Sequence, residues 1–313
     1  MKRLIVLVAL SFLGCKTQDV KPTESYSEQA DSYVSFLASD KLEGRDSGSE
    51  GIHQAASYIE DHFRELKVKP FFETYRDSFK IREIDAYNVV GWLEGNHPEL
   101  KKEVILIGAH YDHIGLRTKP IAGDSIGNGA NDNATGTAGV MLLADYFAIT
   151  KTNKRSLVFA LFSGEEMGLR GSKHLSSRLK AQNMDLYTMI NFEMIGVPLN
   201  DRDYAAFVSG YDLSNLADKM NEYAGKKLIG RSDVAVQYEL FKRSDNYPFY
   251  LEFKVPCQTI SSCDLSNYDF YHHVDDESNK QDYNHLSELI KSIAPVIETM
   301  SQTDSKEIQL KNE

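Results

Sequence analysis

Residues 104–113, Val104-Ile105-Leu106-Ile107-Gly108-Ala109-His110-Tyr111-Asp112-His113, decide how the rest of the chain is read. An apolar run without a polar break suits a strand covered on both faces, whereas a strand with one wet face alternates. Ser156-Leu157-Val158-Phe159-Ala160-Leu161-Phe162 repeats the pattern, and Tyr187 to Phe192 reads as a third strand. Thr137 to Ile149 and Leu169 to Leu179 read as the helices between them. Strand and helix in alternation predict an α/β fold with a mostly parallel central sheet and helices on both faces.

Outward from this centre the pattern continues. Tyr26 to Leu66 reads as helical, interrupted by the glycine-rich turn Glu43 to Gly51, and Phe71 to Glu94 reads as extended segments forming an antiparallel edge. Downstream come a strand near Ala205 to Val208, a helix from Asn215 to Ala224, a helix near Tyr247, a strand after Pro256 and a terminal helix from Asn284 to Met300. There is no internal repeat. Residues 29–302 read as one domain and 303–313 as a polar tail. With 313 residues, 42% of them apolar, the chain has material for a sizeable core.

Lys and Arg total 35 against 46 Asp and Glu, a net charge of -11. An acidic chain without a basic cluster repels phosphate backbones, which excludes nucleic acid as an expected partner. The first residues read as an export signal: Lys2 and Arg3 precede an apolar stretch from Leu4 to Gly14, half the ~20 residues that a spanning helix needs. Ser11-Phe12-Leu13-Gly14-Cys15 resembles a bacterial lipoprotein signal, in which a Cys after a small residue is lipidated. Residues 1–15 are therefore expected to be a signal peptide and 16–28 a flexible polar tether. An exported lipoprotein facing the periplasm or cell exterior follows, touching the membrane only through its anchor.

In open α/β sheets ligands bind beyond the carboxyl ends of the strands. Metal-binding residue types gather there. The first strand ends in His110-Tyr111-Asp112-His113, the second in Ser163-Gly164-Glu165-Glu166, the third in Asn191-Phe192-Glu193. Gly129-Ala130-Asn131-Asp132-Asn133-Ala134-Thr135-Gly136 leads into the helix after the first strand, and Tyr271-His272-His273-Val274-Asp275-Asp276 is a late candidate. Imidazole and carboxylate together suit zinc. One such group is a weak signal; His, Asp or Glu at several strand ends is a strong one.

From Leu37 to the terminal helix the chain resembles the two-zinc exopeptidases of peptidase clan MH, a family that includes secreted bacterial leucyl aminopeptidases, glutamate carboxypeptidase and glutaminyl cyclase. The opening segment Leu37-Ala38-Ser39-Asp40-Lys41-Leu42-Glu43-Gly44-Arg45 belongs to the likeness. The resemblance implies metal ligands His110, Asp132, Glu166, Glu193 and His272. Asp132 would bridge two zinc ions, Glu166 and His272 completing one and His110 and Glu193 the other. It makes Glu165 the general base. Tyr271, next to His272, is expected to donate a hydrogen bond to the oxyanion. The resemblance implies peptide substrates, and a carboxylate-rich site favours an aminopeptidase, which can hold an α-ammonium. A glutaminyl cyclase and an inactive binding homologue are the alternatives. The chain departs from the family at Glu193, where Asp is commoner, and at Asn246, where Ser-Asp-His is frequent, a change expected to act on the substrate pocket.

Asp112 is expected to orient the His110 imidazole, and His113 to lie at the surface or behind the ligands. His53, His62, His97, His174 and His285 read as solvent-facing. Gly123-Asp124-Ser125-Ile126-Gly127 matches G-x-S-x-G but reads as having no strand and no immediate helix beside it, so it lacks the strand-turn-helix elbow that gives the motif meaning, and no H-E-x-x-H is present. Cys257 and Cys263 flank a short strand. Extended residues over that distance span ~20 Å, too far for a disulfide, whose Cα atoms lie within ~7 Å.

Overall fold

The computed structural model of the protein describes residues 25–311. The signal-peptide reading and residues 16–24 of the tether lie outside the described residues. Ser25 caps the first helix reciprocally, its hydroxyl accepting from the Glu28 N–H and the Glu28 side chain accepting from its own. Residues 26–28, also given to the tether, are thus helical.

The chain runs α1 (Tyr26–Leu37), α2 (Glu50–Glu65), β1 (Lys69–Pro70), β2 (Arg76–Ile81), β3 (Ile84–Leu93), β4 (Glu103–His110), β5 (Gly115–Ile121), β6 (Asp124–Gly127) and α3 (Thr135–Thr150). It continues β7 (Ser156–Phe162), α4 (Arg170–Ala181), β8 (Asp185–Phe192), β9 (Ala206–Val208), α5 (Leu216–Ala224), β10 (Ile229–Gly230), α6 (Asp233–Gln237), α7 (Asn246–Phe253), β11 (Cys257–Ser261) and α8 (Tyr283–Gln302). One sheet has the order β1-β3-β7-β4-β8-β11-β9-β10, with β2 also beside β3. β4 is parallel to β7 and β8, and β8 to β11. β2 and β3 form the expected antiparallel edge on β7.

Alternate residues of the central strands enter two cores. Ile105, Ile107 and Ala109 of β4, with Leu157, Phe159 and Leu161 of β7, pack with α1, α2, α3 and α8; Val104, Leu106, Val158, Ala160 and Phe162 pack with α4 and α7 through Leu175, Leu179 and Phe249. Cover on both faces is why these strands carry no polar break. Because β4, β7, β8 and β11 are parallel, their carboxyl ends share one edge of the sheet.

Three expectations need correction. Four of the five histidines read as solvent-facing have side-chain partners: His62 with Asp145 at 3.1 Å, His53 with Tyr87 at 2.5 Å, His174 with Asp77 at 3.3 Å and His285 with Ser262 at 3.0 Å. Their partners come from other elements, which periodicity along one helix does not reveal. Ser125 lies in the β5–β6 hairpin, so a strand is present at the G-x-S-x-G match, although the elbow is not. The segment read as a polar tail is docked through residue 311: Ile308 is buried, and Ser214 and Leu310 form a β-bridge. Cys257 and Cys263 are free thiols. Among the described residues no helix is long and apolar enough to cross a membrane.

Candidate metal centre

The acidic and imidazole side chains singled out above converge at the shared strand edge. His110 is the last residue of β4. Its Nε2 lies 3.0 Å from Glu193 Oε1, just past β8, and 3.3 Å from Asp132 Oδ1. His272 Nε2 lies 3.2 Å from the other oxygen of Asp132 and 3.1 Å from Glu166 Oε2, in the loop after β7. Two donor groups result, His110–Asp132–Glu193 and His113–Asp132–Glu166–His272, the atoms of each within 4.8 Å of one another. Asp132 faces both, one oxygen to each side.

His113 is the correction here. It is 0% exposed, and its Nδ1 approaches Glu166 Oε1 at 3.0 Å. The two-residue period of β4 fixes direction only as far as His110; beyond it the loop turns His113 inward. Among the described residues neither His113 nitrogen nor Glu166 Oε1 makes a hydrogen bond of good geometry, although Nδ1 and Oε1 lie 3.0 Å apart. Buried polar atoms are seldom left so. Donor atoms clustered within 4.8 Å are what a cation requires, and the His and carboxylate donor set fits zinc.

Supporting residues hold the donors. His110 Nδ1 is 3.1 Å from the Asp112 main-chain oxygen and 3.7 Å from its carboxylate, so Asp112 orients the ring through its carbonyl. The Asp112 carboxylate instead accepts from the Glu165 N–H at 3.3 Å. Asp276 accepts from the N–H groups of Asn131 at 2.7 Å and Asp132 at 3.0 Å, bracing the shared carboxylate. Ser244 donates to Glu193 Oε2 at 2.6 Å. Asn246 is buried and bonds Phe241, Cys257 and Thr259. It does not line the cavity, and its polar atoms are spent within the chain.

Sequence reasoning passed over Arg45, quoted only within the opening segment. It is fully buried, donates to the Tyr111, Asn128 and Gly129 carbonyls at 2.9, 2.6 and 2.9 Å, and also donates to Leu37. Burial pushes its pKa down to about 10, against the pull of Asp276 and Asp112, so it stays a fixed cation behind the carboxylates at neutral pH. A single Arg beside glycines was the only signal.

The field around the donors is uneven. Burial opposes ionisation of Asp132, but hydrogen bonds from His110 and His272 hold its carboxyl well below the usual range. Burial, with Glu193 and Asp245 nearby, lifts Glu165 well above it. Glu165 belongs to neither donor group. It lines a cavity of about 400 Å³, beside Asp132, Glu166, Glu193 and Tyr271. Tyr271 is 40% exposed and stacks on the His272 ring at 4.0 Å. Away from the carboxylates, Phe207, Ser209, Thr259 and Leu265 line the same cavity.

This architecture has known counterparts. The LapA aminopeptidase of Legionella pneumophila matches with a TM-score of 0.66 at 20% identity, over 97% of this chain and 81% of its own. Porphyromonas gingivalis glutaminyl cyclase matches at 0.69 and 14% identity, over 88% and 98%. In sequence, a probable zinc metalloprotease of Pyrenophora teres f. teres is 36% identical over 116 residues, 37% of this chain and 24% of its own. Leucine aminopeptidase 2 of Trichophyton rubrum is 27% identical over 174 residues, 55% and 32%. The chain thus spans a third or less of the length of these two relatives. Residues 88–297 match the profile of peptidase family M28, and with two thirds of its length so matched the chain belongs to that family.

Proposed function

We propose that the chain is a zinc-dependent exopeptidase, an aminopeptidase that hydrolyses the N-terminal bond of peptides, with two zinc ions per chain. The observation that carries the reading is the pair of donor groups sharing Asp132, with Glu165 beside them and in neither. By the family match His110, Asp132, Glu166, Glu193 and His272 hold the ions. Bound zinc supplies a water of lowered pKa and a Lewis acid for the scissile carbonyl. Glu165 takes the proton of the attacking water and passes it to the leaving amine. Tyr271, on the cavity wall beside His272, donates to the developing oxyanion. The carboxylate-rich part of the lining, Asp132, Glu165, Glu166 and Glu193, receives the substrate α-ammonium. No nucleic acid takes part.

A panel of aminoacyl-anilides, with and without chelator, tests this. Chelator-sensitive release of anilide supports it. No release from any member, together with ammonia release from an N-terminal glutaminyl peptide by an enzyme holding one tight zinc, replaces it with a glutaminyl cyclase. No turnover of either kind replaces it with a binding homologue. Export and an anchor at Cys15 complete the proposal. Palmitate labelling and partition into detergent, both lost in Cys15→Ser, are expected; retention in the aqueous phase by the unaltered chain removes the anchor.

A further inference from the structure

The two donor groups are unequal. On the Glu166 side, His113 Nδ1 is 3.0 Å from Glu166 Oε1 and 3.8 Å from Asp132 Oδ2, while His272 Nε2 is 3.2 Å from Asp132 Oδ2 and 3.1 Å from Glu166 Oε2. Zinc bonds to nitrogen and oxygen of about 2.0–2.2 Å set tetrahedral ligands about 3.3 Å apart. Single pairs straddle that spacing, with the two imidazoles against different oxygens of Glu166 and the same oxygen of Asp132. On the Glu193 side, among the described residues, only His110, Asp132 and Glu193 contribute.

His113 has no other evident use. Its ring is fully buried and, among the described residues, neither nitrogen makes a hydrogen bond of good geometry. Leaving a buried polar group unpaired costs roughly 1–3 kcal/mol. A hydrogen bond to Glu166 would remove that cost, yet at 3.0 Å the geometry of one is not met. The seat for the ring is built into the backbone: Gly129 has φ +59°, and a Cβ there would lie 2.4 Å from His113 Cγ. The ring stands edge-on to His272, with centroids 5.5 Å apart at 74°.

We infer that His113 is itself a metal ligand, through Nδ1, to the ion held by Glu166 and His272. Four residues of the chain, His113, Asp132, Glu166 and His272, would then hold that ion, against the three that would hold the other, His110, Asp132 and Glu193. The inference rests on the zinc reading proposed above.

Cobalt substitution of the full chain tests it. A thiolate bonded to cobalt absorbs in the near ultraviolet by charge transfer, which imidazole and carboxylate do not. Nδ1 is on the short arm of the ring, and a metal–sulfur bond of about 2.3 Å is longer than one to nitrogen, so a thiolate at position 113 reaches the same point. His113→Cys is expected to bind two cobalt ions and to show this band over the wild-type spectrum. His113→Ala is expected to weaken one ion by more than about 100-fold in a chelator titration, beyond the 10–100-fold typical of a residue that only braces a ligand. Two cobalt ions without the new band in His113→Cys overturn the inference. If that variant does not fold, wild-type affinity for both ions in His113→Ala overturns it. A wild-type chain that binds neither zinc nor cobalt overturns the zinc reading as well.

Discussion

Glu165 and Glu166 follow one another just past β7, so their side chains diverge and cannot share a role. Glu166 meets His113 and His272; Glu165 points to the cavity and joins neither donor group. Glu165→Gln keeps size and hydrogen bonding but cannot take a proton. It is expected to lower kcat by ~10²–10⁴ with zinc content unchanged. Glu166→Gln removes a charged donor and is expected to lose metal first, with activity partly restored by added zinc. Zinc content and kcat of the two variants decide the matter, and zinc loss in Glu165→Gln alone reverses the assignment. That His110, Asp132, Glu166, Glu193 and His272 converge, with Glu165 beside them, was legible because these positions occupy strand ends or match a family motif. His113 and Arg45 were not. A side chain three residues beyond a strand end has no period to place it, and an arginine whose partners are main-chain carbonyls leaves no pattern in the partners' sequence.

The central strands were legible because burial on two faces demands unbroken apolar runs. The β5–β6 hairpin was not, since its charged and proline-containing sequence resembles a loop; yet its Arg117 donates to the His272 carbonyl at 2.9 Å. The antiparallel edge conceals a polar joint as well. Asp77 of β2 is fully buried, meeting Asn88 of β3 at 2.9 Å and, from α4, His174 at 3.3 Å and Arg178 at 2.5 Å. Burial alone would raise its carboxyl, but hydrogen bonds from His174 and Asn88, with Arg178, outweigh it and the net shift is downward. A folded pKa below the unfolded value, about 3.9, contributes stability that is present above that value and lost as pH falls through the folded one. Asp77→Asn is therefore expected to lower stability at pH 7 by about 1.5–3 kcal/mol. Exposure of Arg178 and His174 places the effect near the lower end. The difference from wild type should shrink below about pH 4, as read by urea midpoints across the range. A gap that stays constant with pH shows that the carboxylate charge contributes nothing.

The fold class followed from alternating strands and helices, but the course of the chain after α8 did not, because a short segment with two apolar residues, Ile308 and Leu310, in a polar context gives no periodic signal. Ile308 is buried. Its N–H donates to Tyr187 Oη at 2.9 Å, and the N–H of Gln309 donates to Asn215 Oδ1 at 2.7 Å. Buried Arg155, just before β7, donates to the Thr303 carbonyl at 2.6 Å, and Lys306 pairs with Asp185 at the start of β8. These contacts cover the amino ends of β7 and β8, whereas the donor groups lie beyond the carboxyl ends of the same strands. Stability and chemistry therefore sit at opposite edges of one sheet and can be separated by experiment. Deleting residues 304–313 exposes the pocket of Ile308, worth about 1.5–3 kcal/mol, and leaves Asn215 and Tyr187 without these partners. For a domain of this size each kcal/mol moves Tm by roughly 2–4 °C, so a fall of about 3–12 °C is expected. Zinc content, kcat and KM should remain those of the full chain at temperatures well below the new Tm. An unchanged Tm shows that the docking adds no stability. Loss of a zinc ion from the folded truncated chain shows instead that the amino and carboxyl edges of the sheet are coupled, because β7 and β8 are then too pliant to hold Glu166 and Glu193 at their ends without the closing segment.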